Sequence, residues 1–124
     1  MTNRDLALAY LRAFCAADLD ALRPLLAADL RFSGPLHRFA SRAEYLEVLA
    51  ADPPQACGYE ILDMAETDDS VAVFWEYRKP GKPVTIAQLF RIRGERISDI
   101  LLVFDTGGYA PQPDALREPQ EARR

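Results

Sequence analysis

A chain of 124 residues is the size of one domain and can bury a core without metal or disulfide staples. Its composition, 49% hydrophobic and 27% charged, excludes a disordered polymer, and no apolar run nears the roughly 20 residues of a membrane helix. The net charge of −4 and scattered arginines, with no basic run beyond Arg123-Arg124, lack the electrostatic footprint of a nucleic-acid binder. The opening MTNRDLALAYL has Asp5 and no long apolar stretch of an export signal, so a cytoplasmic location is expected. Cys15 and Cys57 lie far apart, with no CxxC or histidine-rich neighbourhood; both are expected to be reduced and structural, with no metal.

In chain order, Leu6, Tyr10, Phe14 and Ala17 share a stripe at helical spacing and predict a first helix from about Asn3 to Ala17. Asp18 can cap a second, short helix through Leu22, Leu25 and Leu26, which Pro24 should kink or tighten by removing a backbone donor. LRFSGP, Leu30 to Pro35, reads as a brief strand ended by Gly-Pro. Ser41-Arg42-Ala43-Glu44 forms a capping box ahead of Tyr45, Leu46, Val48 and Leu49, a third helix that stops at Asp52-Pro53-Pro54. The period then changes to two, predicting strands near Tyr59 to Glu66, Val71 to Lys79, Val84 to Arg93 and Arg96 to Asp105. Short, turn-rich separators make these consecutive antiparallel hairpins. One domain over 1–105 and a loose tail over 106–124 follow, the tail strapped down at most by Tyr109.

No Gly-rich phosphate loop, GxSxG elbow or HExxH motif appears. The order of elements, with DLDAL after the first helix and FRIRGERISDI near the end, resembles the nuclear-transport-factor-2-like superfamily, nearest its SnoaL-like and ketosteroid-isomerase-like branches. AYLRAFCAADLDALRPLLAADLRFSGP, SRAEYLEVL and VTIAQLFRIRGERISDI carry the likeness over roughly residues 4–105. It implies an α+β cone, in which three N-terminal helices pack on a strongly curved, mainly antiparallel sheet that encloses an apolar pocket. It also implies a homodimer through the outer sheet face, where Phe74, Leu89, Leu101 and Val103 fall together by parity. Isomerases, cyclases, dehydratases, epoxide hydrolases and non-catalytic binders share this fold, so fold alone does not assign an activity.

In ketosteroid isomerases a tyrosine on the first helix and an acid on a late strand donate to an oxyanion, while an aspartate after the first strand moves the proton. The resemblance places Tyr10 and Gln88 at the donor positions and Gly34 at the base position, where no side chain can accept a proton. Cyclases of the SnoaL type carry acid-base groups on the last strand, where this chain has Ile100, Leu102 and Phe104. Epoxide hydrolases of the fold need an arginine between two carboxylates, and none falls on the pocket face of the late strands.

Alternation in VTIAQLFRI puts Gln88 amid Val84, Ile86, Phe90 and Ile92 on a core face. A buried amide there, left unpartnered, costs roughly 1–3 kcal/mol, so protein, water or ligand must hydrogen-bond it. Tyr10 poses the same question on its helix stripe. By parity Trp75 and Tyr77, with Phe14, Phe32, Phe90 and Leu102, form the substrate-binding wall. His37, the single histidine, follows Gly34 closely and is the candidate base, completing a catalytic set of Tyr10, Gln88 and His37. Asp99 and Asp105 fall on the opposite face, toward solvent, a turn or a subunit partner. Two functions stay open. One is a cofactor-independent isomerase, cyclase or dehydratase acting on a small apolar carbonyl or hydroxyl compound. The other is a non-catalytic ligand-binding or dimerisation module of the same fold.

Overall fold

The computed structural model describes residues 1–108; the remaining tail, with Tyr109 and its expected strap, lies outside the described residues. Helix α1 (Asn3–Cys15) begins with a reciprocal cap, in which Thr2 Oγ1 accepts the Asp5 N–H at 3.0 Å and the Asp5 carboxylate accepts the Thr2 N–H at 3.1 Å. It stops two residues before the expected Ala17. Ala17 adopts φ 56°, its N–H donates to the Phe14 carbonyl at 3.0 Å, and the Asp18 N–H donates to the Ala13 carbonyl at 2.9 Å. That paired closure consumes the last carbonyls of the helix and reverses the chain. Asp18 then caps α2 (Leu19–Leu22) by accepting the Ala21 N–H at 3.1 Å, and Pro24 lies in a tight 3-10 turn, Arg23–Leu25, as the missing donor demands.

Strand β1 (Leu26–Ser33) starts four residues before the predicted one. Its burial does not alternate: Leu26 and Ala27 are buried in succession, Ala28 and Asp29 are exposed, and a register irregularity lies between Leu26 and Arg31. A bulge of this kind erases the period-two signal that would have shown the strand. The two-residue strand β2 (Arg38–Phe39), too short to show in sequence, pairs Phe39 with Phe32, and the Gly34 N–H closes the turn on the His37 carbonyl at 2.9 Å. Helix α3 (Arg42–Ala51) has Ser41 as its cap, accepting the Glu44 N–H at 3.1 Å. The Glu44 carboxylate reaches back to the Ala40 N–H at 3.3 Å, one residue beyond the expected box.

The meander is β3 (Gly58–Glu66), β4 (Ser70–Arg78), β5 (Val84–Arg93) and β6 (Arg96–Phe104), each within a residue or two of expectation. Gly94 and Glu95, at φ 58° and 64°, form the mirror-image turn that joins β5 to β6 with Arg93 opposite Arg96. The strands make one sheet in the order β2-β1-β6-β5-β4-β3, antiparallel throughout except where β1 runs parallel to β6. The expected α+β cone is the architecture found, with the curled sheet left unclosed at β2 and β3.

Alternation on β4 and β5 buries Val71, Val73, Trp75 and Tyr77 beside Val84, Ile86, Gln88 and Phe90 on one face, which α1 crosses, while α3 packs on β1. The α3–β3 connection docks on the end of α1, where the Cys57 N–H donates to the Cys15 carbonyl at 3.1 Å; cysteines distant in sequence are neighbours in the fold. Among the described residues no helix is long and apolar enough to cross a membrane.

Candidate functional site

A cavity of about 270 Å³ opens between α1, α3, the β1–β2 turn and the concave face of β4, β5 and β6. Tyr10, Phe14, Phe32, His37, Trp75, Tyr77, Gln88 and Leu102, all expected from sequence, lie on its wall. Phe90 does not. Parity puts Phe90 on the concave face, but its fully buried ring is taken up by an edge-on contact with Tyr10, 5.0 Å between centroids, and it belongs to the core beneath the cavity.

The floor of the cavity is a chain of four buried polar groups. The Trp75 indole N–H donates to Gln88 Oε1 at 3.1 Å. Because an indole can only donate, this bond fixes the amide oxygen toward Trp75 and leaves the NH2 as the amide's remaining donor. The Tyr10 and Tyr45 hydroxyls share a hydrogen bond. Among the described residues no buried side-chain nitrogen or oxygen lacks a partner. The question that Gln88 poses is thus answered from within the protein at its oxygen, which Trp75 engages.

Burial pushes the Tyr10 hydroxyl up to about 12, against smaller downward pulls from Tyr45 and Gln88. Burial also raises Tyr45 well above the ordinary tyrosine value, and its neighbour Tyr10 adds to the effect. Both phenols therefore stay protonated at physiological pH and act as donors. Two hydroxyl protons serve this pair, and one O–H···O bond consumes only one of them. The other can point into the cavity at a ligand oxygen. Such a donor, held in place by the rest of the chain, is the kind of group that stabilises charge developing on a carbonyl oxygen.

Titratable side chains other than the tyrosines occur on this wall only at the mouth, among the described residues. His37 is exposed and stacks on Phe39, 5.7 Å between centroids and 20° between planes. Asp52, the exposed residue that ends α3, stands on the same rim. Gly34 is buried in the wall, and a Cβ there would meet Phe32 Cε1 at 3.2 Å and two Leu102 carbons at 3.5 Å. A side chain at this position would need the Phe32 ring to give by a few tenths of an ångström.

Sequence reasoning missed Tyr45 and Asp52. Tyr45 reads as one more apolar residue of the capped helix, although any buried tyrosine implies a partner for its hydroxyl, and that signal was available. Asp52 reads as a helix stop, and nothing local shows that the stop lies at a cavity mouth. A wider groove of about 560 Å³ lies across β1, β2, β5 and β6 and includes Arg31, Arg38, Arg91 and Asp99 with Leu89 and Leu101. It is larger, but it belongs to the outer face and none of the buried polar chain reaches it.

No curated protein matches the chain in sequence. Among solved structures it is similar to an NTF2-like protein of unknown function from Cytophaga hutchinsonii, with a TM-score of 0.75, 20% identity, and coverage of 86% of this chain and 93% of that one. A candidate ketosteroid isomerase from Kribbella flavida superposes with a TM-score of 0.74 at 20% identity, over 90% of this chain and 82% of that one. A candidate polyketide cyclase from Sinorhizobium meliloti reaches 28% identity with a TM-score of 0.65, over 79% and 93% of the two chains. The profile of the SnoaL-like domain matches residues 7–100, which spans α1 through most of β6. The chain belongs to the SnoaL-like domain family.

Proposed function

We propose that this protein binds a small, mostly apolar molecule in the α1–α3 cavity, with one carbonyl or hydroxyl oxygen of the ligand held by the Tyr10–Tyr45 pair. The observation that carries the reading is two buried phenols, bonded to each other on the wall of an otherwise largely apolar cavity, which together hold one hydroxyl proton more than their mutual bond uses. A volume of about 270 Å³ suits a compact molecule of one or two rings and sits just below the usual range of ligand pockets, about 300–1,000 Å³. Binding is favoured over catalysis because no carboxylate or imidazole reaches the buried part of the described wall. Proton transfer on the bound molecule would fall to His37 or Asp52 at the mouth, which is where the names of the isomerase and cyclase neighbours find their support.

The same reading makes the protein a homodimer through the outer sheet face. Phe74, Leu101 and Val103 are 48%, 46% and 54% exposed there, and register places Leu89 beside Leu101 and Ala87 between Phe74 and Val103. A contiguous apolar face of this kind is uncommon on a monomer.

Titration of the purified protein with phenolic and enone probes, followed by calorimetry, tests the pocket. Tyr10→Phe and Tyr45→Phe are expected to weaken binding about 5- to 30-fold each, the equivalent of roughly 1–2 kcal/mol for a neutral hydrogen bond. Equal affinity in wild type and both variants would remove the tyrosine pair from ligand recognition.

A further inference from the structure

Cys15 ends α1 and Cys57 directly precedes β3, and the two are not joined. The hydrogen bond from the Cys57 N–H to the Cys15 carbonyl, 3.1 Å long, ties their backbones together. Standard bond lengths along that connection hold the two Cα atoms within about 7 Å of each other. Disulfides occur at Cα separations of roughly 4.4–6.8 Å, so the backbone is already near bridging range. Burial, and after it the neighbouring Cys57, pushes the Cys15 thiol up to about 12. Cys15 is buried, whereas Cys57 is half-buried and open to a small reagent.

The segment around Cys57 borders the cavity. Asp52 on the rim begins the α3–β3 connection, and the Tyr77 hydroxyl donates to the Gln55 carbonyl at 3.1 Å, holding that connection against the wall. Phe14, next to Cys15, lies on the same wall and contacts Tyr77, 6.0 Å between ring centroids. Anything that fixes Cys57 to Cys15 fixes this side of the cavity mouth.

We propose that Cys15 and Cys57 are a redox-responsive pair that closes to a disulfide by exchange with a small-molecule disulfide, pinning the α3–β3 connection to the end of α1. The Cys57 thiolate attacks one sulfur of the oxidant R–S–S–R, forming a mixed disulfide and releasing one RS⁻, which takes up a proton. The Cys15 thiolate then attacks the Cys57 sulfur and expels the second RS⁻. In total two cysteine thiols are oxidised, one R–S–S–R is reduced to two RSH, and the two thiol protons pass to the leaving groups. Closure is the slow step, because burial keeps Cys15 in its unreactive thiol form at neutral pH.

The full chain incubated with oxidised glutathione, then mapped by mass spectrometry without reduction, tests this. The expected product is a monomer lighter by two hydrogens, with Cys15 and Cys57 in one cross-linked peptide. Its melting midpoint is expected to rise by roughly 10 °C, because the bridge closes a long loop of the unfolded chain, and to return on addition of reduced glutathione. In Cys15→Ser the reaction should stop with one glutathione on Cys57, and in Cys57→Ser the buried Cys15 should remain unmodified. A wild-type protein that holds glutathione on Cys57 without closing, keeps both thiols free, or links only between chains would overturn the proposal. The wild-type result decides whether or not either variant folds.

Discussion

Gln88 illustrates how one polar residue in an apolar row is reconciled with burial. Its amide oxygen accepts from Trp75, so its energetic role is tied to a neighbour that is itself buried. Replacing it with an apolar residue of similar size removes one desolvated group but strands another, the Trp75 indole N–H, whose unmet hydrogen bond costs more than the amide's own burial. Gln88→Leu is therefore expected to lose about 1–3 kcal/mol in urea unfolding. Adding Trp75→Phe to Gln88→Leu should recover part of what the two single changes lose separately, because the second change removes the stranded donor. A Gln88→Leu protein as stable as wild type would mean that Trp75 finds another acceptor.

At the scale of elements, the end of α1 decides how the next segment enters the fold. The helix could continue to Ala17 on hydrophobic spacing, yet it closes early with Ala17 in the left-handed region at φ 56°. A Cβ in that region crowds the backbone, and glycine at the same place avoids the clash. Ala17→Gly is expected to stabilise the protein by about 0.5–1 kcal/mol, read as a higher urea midpoint at unchanged slope. A lower midpoint would show instead that packing of the half-buried Ala17 methyl outweighs the backbone strain. Elsewhere the local rules were legible. Asp18 and Ser41 cap their helices as their residue types require, and Pro24 tightens its turn. Strand β1 was only partly legible because its bulge breaks the alternation from which strands are read.

For the whole molecule, the consequence with the clearest measurement is self-association. The outer sheet face combines the exposed Phe74, Leu101 and Val103 with the arginine-lined groove over β1, β2, β5 and β6. Sedimentation equilibrium at micromolar concentration is expected to show a dimer, and Leu101→Lys is expected to shift it at least tenfold toward monomer while leaving the far-UV circular dichroism unchanged. Charging one residue at the centre of an apolar interface costs on the order of 1–3 kcal/mol per protomer, enough for that shift. A wild-type protein that stays monomeric would leave the apolar face without a partner and remove the dimer from the proposed function.

What the sequence determined by itself is what repeats within a few residues. Helical spacing placed the first helix, capping residues placed the second and third, and the period of two placed the four strands of the meander. They also placed Tyr10, Phe14, Trp75, Tyr77, Gln88 and Leu102 on the concave side, because the face a side chain takes depends only on its own element. Only the tertiary structure decided what depends on which elements become neighbours. The parallel seating of β1 beside β6 joins the first strand to the last. The approach of α3 to α1 makes Tyr45 the partner of Tyr10, and the return of the chain before β3 sets Cys57 on Cys15. The same packing puts Phe90 beneath Tyr10 and outside the cavity, although its parity matches Gln88. These contacts join residues far apart in the chain, and a local period contains no term for them; they are set by the curvature of the sheet and by the volume that the helices must fill against it.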